Sequence, residues 1–205
     1  MTTAVRVLFQ SEDTSIQAQA TWLMLGNLLR TPAFTQLRTE QQLGYIVWAG
    51  YDRRDHVPGI TVNIQSSVAG PSTLLARIDA FLTNIGPELE KMSDEDFETS
   101  KAGLIATLEE KPTSLSSKSR DISRDLSLGV TTFDRKAQLV AHLKPMDKDT
   151  VTRLFQEYVL GGQARRLVVQ ATGHAHAEDP VPEGACPDTD CLLSELSSTI
   201  TRSRE

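Results

Sequence analysis

The stretch Phe34–Ser67, FTQLRTEQQLGYIVWAGYDRRDHVPGITVNIQSS, changes its hydrophobic period once and so decides the fold class. Its first part, through Arg38, has the spacing of a short helix that we expect to stop at Gly44 in a left-handed turn. Beyond Gly44 apolar and polar residues alternate, as in a strand with one buried face. The turn composition of residues 55–59 predicts an antiparallel hairpin. The stretch is therefore predicted as a helix, a glycine break and a hairpin, with Arg38 and Tyr45 on either side of the break.

Outside this stretch, the sequence predicts a strand at each end and helices between them. Ala4–Gln10 and Arg166–Thr172 are short runs rich in β-branched residues, which is the composition of strands. After the first run, Thr14 and Gln17 have the spacing of a capping box, and apolar residues then recur at helical spacing. The Thr-Pro pair at residues 31–32 predicts that a second helix starts there.

The second half of the chain has the periodicity of further helices. Ser72, Ser93 and Asp147 are predicted N-caps, because each precedes an apolar stripe at helical spacing. A short helix is expected from Asp134 to Leu143. The apolar positions that define two of these helices are Leu74, Ile78, Phe81, Leu82, Ile85 and Leu89 in the first and Leu115, Ile122 and Leu126 in the second.

Terminal strands with helices between them are typical of an α+β domain, in which one mostly antiparallel sheet is covered by helices. We assign residues 1–176 to this domain. From about Ala177 the chain becomes acidic and rich in proline, EDPVPEGACPDTDC, and such a segment buries too little apolar surface to order itself. Residues 177–205 are therefore predicted to form a disordered tail.

Composition indicates an ordinary globular protein and argues against two classes of partner. Of the 205 residues, 39% are hydrophobic and 23% are charged. The formal net charge of −6 argues against nucleic-acid binding, which needs clustered basic charge. No apolar run approaches the roughly 18 residues that span a bilayer, and residues 1–13 lack the pattern of a signal peptide. A cytoplasmic location without membrane contact is therefore expected, unless the chain is a piece of a longer precursor.

The sequence contains no complete catalytic motif of its own. None of its four histidines has a glutamate at the spacing of H-E-x-x-H or H-x-x-E-H. There is also no G-x-S-x-G and no glycine-rich phosphate loop. We interpret His56 as a solvated turn residue and His142 as a partner of a helix C-terminus.

Cys186 and Cys191 lie in the acidic tail, where we interpret them as free thiols rather than as catalytic nucleophiles. Together with His174 and His176 they could supply four zinc ligands. Their spacings, however, match no structural zinc module. The sequence therefore predicts no metal site and no bound cofactor in this chain.

Arg38 and Tyr45 are the remaining candidates for a functional site. An arginine in the last turn of a helix commonly complements the helix dipole and faces solvent. A tyrosine that opens a strand commonly packs into the core with its hydroxyl at the edge. The residues alone leave these structural roles and a functional role open.

The run LRTEQQLGYIV, Leu37–Val47, closely resembles a signature segment of the pitrilysin/insulysin family of zinc metallopeptidases, the inverzincins. The resemblance covers about residues 4 to 173 of this chain. Further counterparts occur in the family's order at Thr14-Ser15, at the Gly59–Ser67 strand that contains Gln65-Ser66, and at Ala80-Phe81-Leu82.

The resemblance implies a LuxS/processing-peptidase-like metallohydrolase fold, used in a peptidase of four related α+β domains around a closed chamber. In that family, zinc is held in the first domain by H-x-x-E-H and a downstream glutamate, whereas this chain resembles the fourth domain. In members of that family, the arginine and the tyrosine of this signature segment reach across the chamber to the zinc site. The matching positions are Arg38 and Tyr45, which the resemblance identifies as catalytic contacts to the substrate or its transition state.

Two functions follow from this resemblance. In the first, the chain is the C-terminal domain of a zinc metalloendopeptidase, forming part of the chamber wall and acting on peptide substrates through Arg38 and Tyr45. Its partner is then an N-terminal, zinc-bearing half, in the same longer chain or in a separate subunit. In the alternative, the chain is a stand-alone or degenerate non-catalytic scaffold that pairs with a zinc-bearing partner. Under either hypothesis the isolated chain is expected to be inactive and to bind no zinc.

Overall fold

The computed structural model describes residues 2–176, 179, 185–188 and 190–194, and in them a four-stranded antiparallel sheet carries helices on one face. This arrangement confirms the predicted α+β class. Both terminal strands and the hairpin are confirmed as well. The strands are β1 (Thr3–Gln10), β2 (Ile46–Arg54), β3 (Val57–Ser66) and β4 (Arg165–Ala171), in the spatial order β2-β3-β1-β4.

The helices form a layer over one face of the sheet. The first two lie against the strands, and three later ones pack on the first. A π-helical segment continues the first helix and another continues the last, at residues 34–40 and 155–160. The helices are α1 (Ile16–Ala33), α2 (Pro71–Lys91), α3 (Asp94–Glu109), α4 (Leu115–Ser127), α5 (Arg135–Leu143) and α6 (Lys148–Leu154), and a short 3-10 turn follows β4 at His174–His176.

The core lies between the helices and the sheet. All six predicted apolar positions of α2 are buried. Trp22 and Leu25 of α1 are fully buried in the same core cluster as Val62 of the inner strand β3. α1 packs directly on β2, because a methyl group at Gly26 would overlap the backbone nitrogen of Tyr51. This close approach fixes the position of α1 relative to β2.

The start of α1 differs from the prediction by one residue. Ser15, rather than Thr14, is the N-cap, and its hydroxyl oxygen accepts a hydrogen bond from the backbone of Ala18 at 3.1 Å. The reason is Asp13, whose carboxylate accepts hydrogen bonds from the backbone N–H and the hydroxyl of Ser15. The turn before the helix therefore selects the capping residue.

Of the three other predicted N-caps, two are confirmed and one is wrong. Ser93 and Asp147 each accept a hydrogen bond from the backbone of the third helical residue. Ser72 is not a cap, because α2 already begins at Pro71, with Gly70 in the capping position. Proline suits the first position of a helix, since its missing N–H would have no partner there.

The second helix start predicted at Thr31-Pro32 is also wrong. α1 runs through Pro32 to Ala33 without a break, and the chain continues in the π-helical segment from Phe34. A proline inside a helix removes one backbone hydrogen bond, at a cost of about 3 kcal/mol. Here Ala33 and Leu37 are fully buried on the same helical face, so their packing keeps the chain helical.

The predicted helix at Leu115, Ile122 and Leu126 exists as α4, but its apolar side chains do not reach the core. Leu115 is 84% exposed and Leu126 is 55% exposed. Ser114 caps this helix in a reciprocal hydrogen-bonded pair with Ser117. Local capping therefore supports this helix, although none of its apolar side chains is buried against the rest of the described chain.

The buried lysine Lys101 ties α3 to the connection between α5 and α6. Its ammonium group donates hydrogen bonds to the backbone oxygen of Met146 at 2.8 Å and to the carboxylate of Glu98 at 2.7 Å. The Lys101 side chain is 8% exposed, so its ammonium charge depends on these acceptors in place of water, whereas the Glu98 side chain is 61% exposed.

We therefore expect Lys101→Met to lower the free energy of unfolding by about 2 kcal/mol, because a buried backbone acceptor loses a charged donor. Urea denaturation of the purified chain measures this loss. The control is Lys118→Met on the exposed face of α4, where a change below about 0.5 kcal/mol is expected. Equal effects of the two substitutions would contradict this role of Lys101.

The disordered tail predicted for residues 177–205 falls mostly outside the described residues. Of the tail residues that are described, Cys186 and Cys191 are joined in a disulfide, with their Cα atoms 5.3 Å apart. The interpretation of these cysteines as free thiols is therefore wrong. The physical reason is that the two cysteines are only five positions apart and their Cα atoms come within the range that a disulfide spans. No described helix is both long enough and apolar enough to span a membrane.

Candidate functional site

The corner between α1 and β2 sets the positions of Arg38 and Tyr45. The backbone N–H of Leu43 donates a hydrogen bond to the carbonyl of Leu37 at 3.1 Å and closes the π-helical segment. Gln42 adopts a left-handed conformation with φ of 50° just before this closure. Leu43, which is 7% exposed, is thereby turned back into the core. The chain thus reverses within a few residues and enters β2 at a defined angle.

The prediction that Gly44 is the left-handed stop is wrong, because Gln42 has that conformation. Gly44 has a different requirement. A methyl group at this position would overlap the backbone carbonyl oxygen of Gln65 on the neighbouring strand β3. Glycine therefore lets the chain pass close to β3 just before Tyr45.

Arg38 and Tyr45 are in direct contact across this corner. The Nε of Arg38 donates a hydrogen bond to the backbone oxygen of Tyr45 at 3.1 Å. The guanidinium carbon lies 5.5 Å from the centre of the Tyr45 ring and 4.8 Å from the centre of the Phe34 ring. Such distances are within the range of cation–π attraction. The guanidinium is therefore held between two aromatic rings, and no described residue accepts a hydrogen bond from its terminal N–H groups.

The exposure of these side chains argues against purely structural roles. Tyr45 is 85% exposed, so it does not pack into the core as strand tyrosines commonly do. Its hydroxyl makes no hydrogen bond within the described part of the chain. Arg38 is half-buried by the two rings and makes no ion pair with the described residues. Both side chains are thus oriented, yet their polar ends are directed outward.

The open face of the sheet continues this surface. Ile46 and Trp48 alternate with the buried Val47 and Ala49, so they point away from the helices and are 50% and 41% exposed. Val169 of β4, on the same face, is 51% exposed. Exposed apolar side chains grouped on one face commonly mark a surface that contacts another molecule or domain.

A shallow groove of about 220 Å³ crosses this open face. Ile46 and Gln65, which pair across β2 and β3, form one wall, and Val169 forms the other. Arg6 lies between them, and its guanidinium contacts Thr61 and Asp52. The face thus combines apolar walls with hydrogen-bonding groups.

Sequence reasoning missed Phe34, Ile46 and Trp48 as parts of this surface. Phe34 lies four residues before Arg38, which is the spacing of contacting side chains on a helix. Ile46 and Trp48 are one strand period apart, on the opposite face from the buried residues. The periodicity could have placed all three side chains, but it could not show that no described helix covers this face of the sheet.

The histidines do not form a metal site in the described residues. His56 is exposed in the hairpin turn, and His142 lies in the last turn of α5. The Nδ1 of His176 lies 3.4 Å from a carboxylate oxygen of Asp179. Among residues 2–176, 179, 185–188 and 190–194, no three histidine, cysteine, aspartate or glutamate side chains are grouped as metal ligands. The ligand set for a zinc ion is therefore not offered by this part of the chain.

Comparison with known proteins identifies relatives of this chain. A family profile described as "PQQ synthase PqqF-like, C-terminal lobe domain 4" matches residues 24–123. Insulin-degrading enzyme-like 1, peroxisomal, from Arabidopsis thaliana is 34% identical over 158 residues, which are 76% of this chain and 16% of that protein. Insulin-degrading enzyme from Homo sapiens is 28% identical over 178 residues, which are 87% of this chain and 17% of that protein.

The fold has counterparts among solved structures. The crystal structure of pitrilysin matches with a TM-score of 0.84 at 24% identity, over 95% of this chain and 21% of that one. A protease from Helicobacter pylori matches with a TM-score of 0.63 at 13% identity, over 82% of this chain and 40% of that one. The chain spans about a sixth of the length of the two insulin-degrading enzymes. It belongs to the pitrilysin/insulysin family of zinc metallopeptidases, corresponding to the C-terminal domain.

Proposed function

We propose that this chain is the non-zinc-binding C-terminal domain of a zinc metalloendopeptidase, in which the open face of the sheet lines the substrate chamber. Arg38 and Tyr45 then contact the substrate at the site of peptide-bond hydrolysis. The observation that supports this proposal is the corner itself, where an ordered arginine and an almost fully exposed tyrosine lie in contact.

The chemistry of these two groups suits the hydrolysis of a peptide bond. Attack of water on the peptide carbonyl places negative charge on its oxygen, and a hydrogen-bond donor aimed at that oxygen stabilises the transition state. The Tyr45 hydroxyl is a donor of this kind, and no described residue bonds to it. The terminal N–H groups of Arg38 form a planar fork suited to a backbone carbonyl or a carboxylate of the substrate.

The metal of such an enzyme would be held outside this chain. When bound, zinc activates the attacking water and polarises the carbonyl. The described residues do not provide its ligands. In this proposal, a zinc-bearing part of the longer protein faces the open sheet. Ile46, Trp48 and Val169 fit such a position, since an exposed apolar face would lie against peptide substrate within an enclosed chamber.

A recombination assay tests this proposal. The pure chain is mixed with the zinc-bearing half of the longer peptidase, and cleavage of a quenched fluorogenic peptide is measured with and without a chelator. We expect negligible cleavage by the pure chain, which should also contain no stoichiometric zinc, and chelator-sensitive cleavage by the mixture. Chelator-sensitive cleavage by the pure chain would contradict the proposal.

A double variant, Arg38→Ala with Tyr45→Phe, separates the proposal from the scaffold alternative. This chain should still bind the zinc-bearing half, because neither side chain is buried, but it should restore little cleavage. If the double variant restores cleavage as well as the unmodified chain does, the domain acts as a non-catalytic scaffold.

A further inference from the structure

A second group of polar side chains lies at the far end of β2, on the face that the helices cover. Tyr51 and Arg53 follow Ala49 in the strand's alternation and so point toward α1 and α5. Arg135 is the first residue of α5 and faces them. Two nitrogens of its guanidinium donate hydrogen bonds to the side-chain oxygen of Gln19 at 3.2 and 2.7 Å. Three chain segments, β2, α1 and α5, therefore meet at this group.

The Tyr51 hydroxyl is buried in this group without a hydrogen-bond partner of ordinary geometry among the described residues. Its backbone is held against Gly26 of α1, so the ring has a fixed place between the sheet and the helix. Burial raises the pKa of Tyr51, and the charges of Arg135 and Arg53, together with a hydrogen-bond contact from Arg135 to the hydroxyl oxygen, oppose that rise. The phenol is therefore neutral at physiological pH and has an unused O–H donor.

Arg53 lies beside this hydroxyl without a counter-ion. In the described part of the chain it makes no hydrogen bond or ion pair through its guanidinium, whereas the adjacent Arg54 pairs with Asp52 at 3.2 Å. Burial lowers the pKa of Arg53, and repulsion from Arg135 lowers it further. Two half-buried guanidinium groups thus repel each other, and a bound anion would offset that repulsion.

The surrounding charges do not neutralise this pair. Arg124 adds to the repulsion on Arg53 and Asp125 opposes it, but Asp125 has the smaller effect of the two. Asp52 has the smallest effect on the pKa of Tyr51 among the neighbouring groups and already pairs with Arg54. Asp121 pairs with Lys136 at 2.7 Å. The group therefore has an excess of positive charge.

One member of the group, Arg135, can be reached from solvent through a groove that Tyr51 and Arg53 do not line. This groove of about 480 Å³ lies between the end of α3, α4 and α5, and its charged lining is mixed, with basic side chains such as Arg124 beside carboxylates such as Asp125. A groove of this size falls within the range of small-ligand sites. Its apolar floor includes Ile122 and Phe133, which are 39% and 49% exposed.

We propose that Tyr51, Arg53 and Arg135 form a binding site for an oxyanion, that is, a phosphate or carboxylate group. All three side chains present hydrogen-bond donors, and guanidinium groups bind such anions through paired N–H groups. The anion would satisfy the buried hydroxyl and offset the repulsion between the two arginines. It can be a free ion or a carboxylate from another part of the longer protein. The site is at the opposite end of β2 from Tyr45, so it does not depend on the peptidase proposal.

Thermal unfolding of the full chain tests this site. At constant ionic strength, chloride is replaced stepwise by phosphate, or in a separate series by acetate, up to about 20 mM, where general salt effects on stability are small. We expect a saturable rise in Tm of about 4 °C for the unmodified chain. Arg53→Gln should lose this rise. In chloride alone the same variant should melt at or above the temperature of the unmodified chain, because the repulsion is removed.

Two further variants serve as controls. Arg54→Gln, next to the site but paired with Asp52, should keep the full anion response. Tyr51→Phe keeps the buried ring and should reduce the response by removing one donor. A response to phosphate alone identifies a phosphate group as the ligand, and an equal response to acetate identifies a carboxylate. The proposal is overturned if the unmodified chain responds to neither anion, or if Arg53→Gln responds as strongly as the unmodified chain does.

Discussion

Tyr45→Phe is expected to lower kcat of the intact peptidase, or of this chain recombined with its zinc-bearing half, by about 100-fold. The hydroxyl of Tyr45 is free of partners in the described chain and lies on an almost fully exposed side chain, so its donor is available to a developing oxyanion. The phenylalanine ring keeps the cation–π contact with Arg38. Substrate binding should therefore be nearly unchanged, and KM should stay within about twofold.

Tyr158→Phe is the matched control for this prediction. It removes the same hydroxyl from a tyrosine on the helical side, whose ring packs edge-on against Trp22, and kcat should be unchanged. Arg38→Ala is expected to act differently, mainly by raising KM, since its guanidinium would hold the substrate backbone. A Tyr45→Phe enzyme with the unmodified kcat would remove the transition-state role from this residue.

Gly44→Ala is expected to lower the free energy of unfolding by about 3 kcal/mol, because the added methyl group would overlap the backbone oxygen of Gln65. That oxygen belongs to β3 and cannot move without disturbing the sheet. By the usual scaling for domains of this size, the loss corresponds to a decrease in Tm of about 6 to 12 °C. Since Tyr45 follows directly, the recombined enzyme should also lose activity under conditions where the variant is still folded.

Gly103→Ala provides the control for the change of glycine to alanine. Gly103 lies in α3 with no atom within 4 Å of the position that a methyl group would take. In an exposed helix interior this substitution should raise the free energy of unfolding by about 0.5 to 1 kcal/mol. If Gly44→Ala is as stable as Gly103→Ala, the close approach between Gly44 and β3 does not constrain the corner.

Local sequence signals predicted the elements well where one face of each element is buried. The stripe of α2 and the alternation in β3 are both repeated patterns, and burial of one face is what produces such patterns. The same signals failed at Pro32 and α4. Packing of Ala33 and Leu37 keeps the chain helical past a proline, and the apolar residues of α4 find no core to cover them. In both cases the deciding contacts come from outside the local window.

The candidate site could be located from the sequence only in part. The family resemblance of Leu37–Val47 pointed to Arg38 and Tyr45, and the structure places these two side chains in contact. The sequence could not predict that Phe34 completes the cation–π contact. It also could not predict that Gln42, rather than Gly44, adopts the left-handed conformation. The basic group of Arg53 and Arg135 was also missed, since 82 positions in the numbering separate the two residues and neither belongs to a motif.

The sequence by itself determined the α+β class, the order of most helices and strands, the family, and the absence of a complete zinc-binding motif from this chain. Periodicity and short motifs are local properties, so they can be read without a structure. Only the tertiary structure decided which face of the sheet is left open, how Arg38 is held between two rings, and where charges from distant segments meet. These features depend on the approach of segments far apart in the chain, because helix packing on one face of the sheet fixes what the other face exposes.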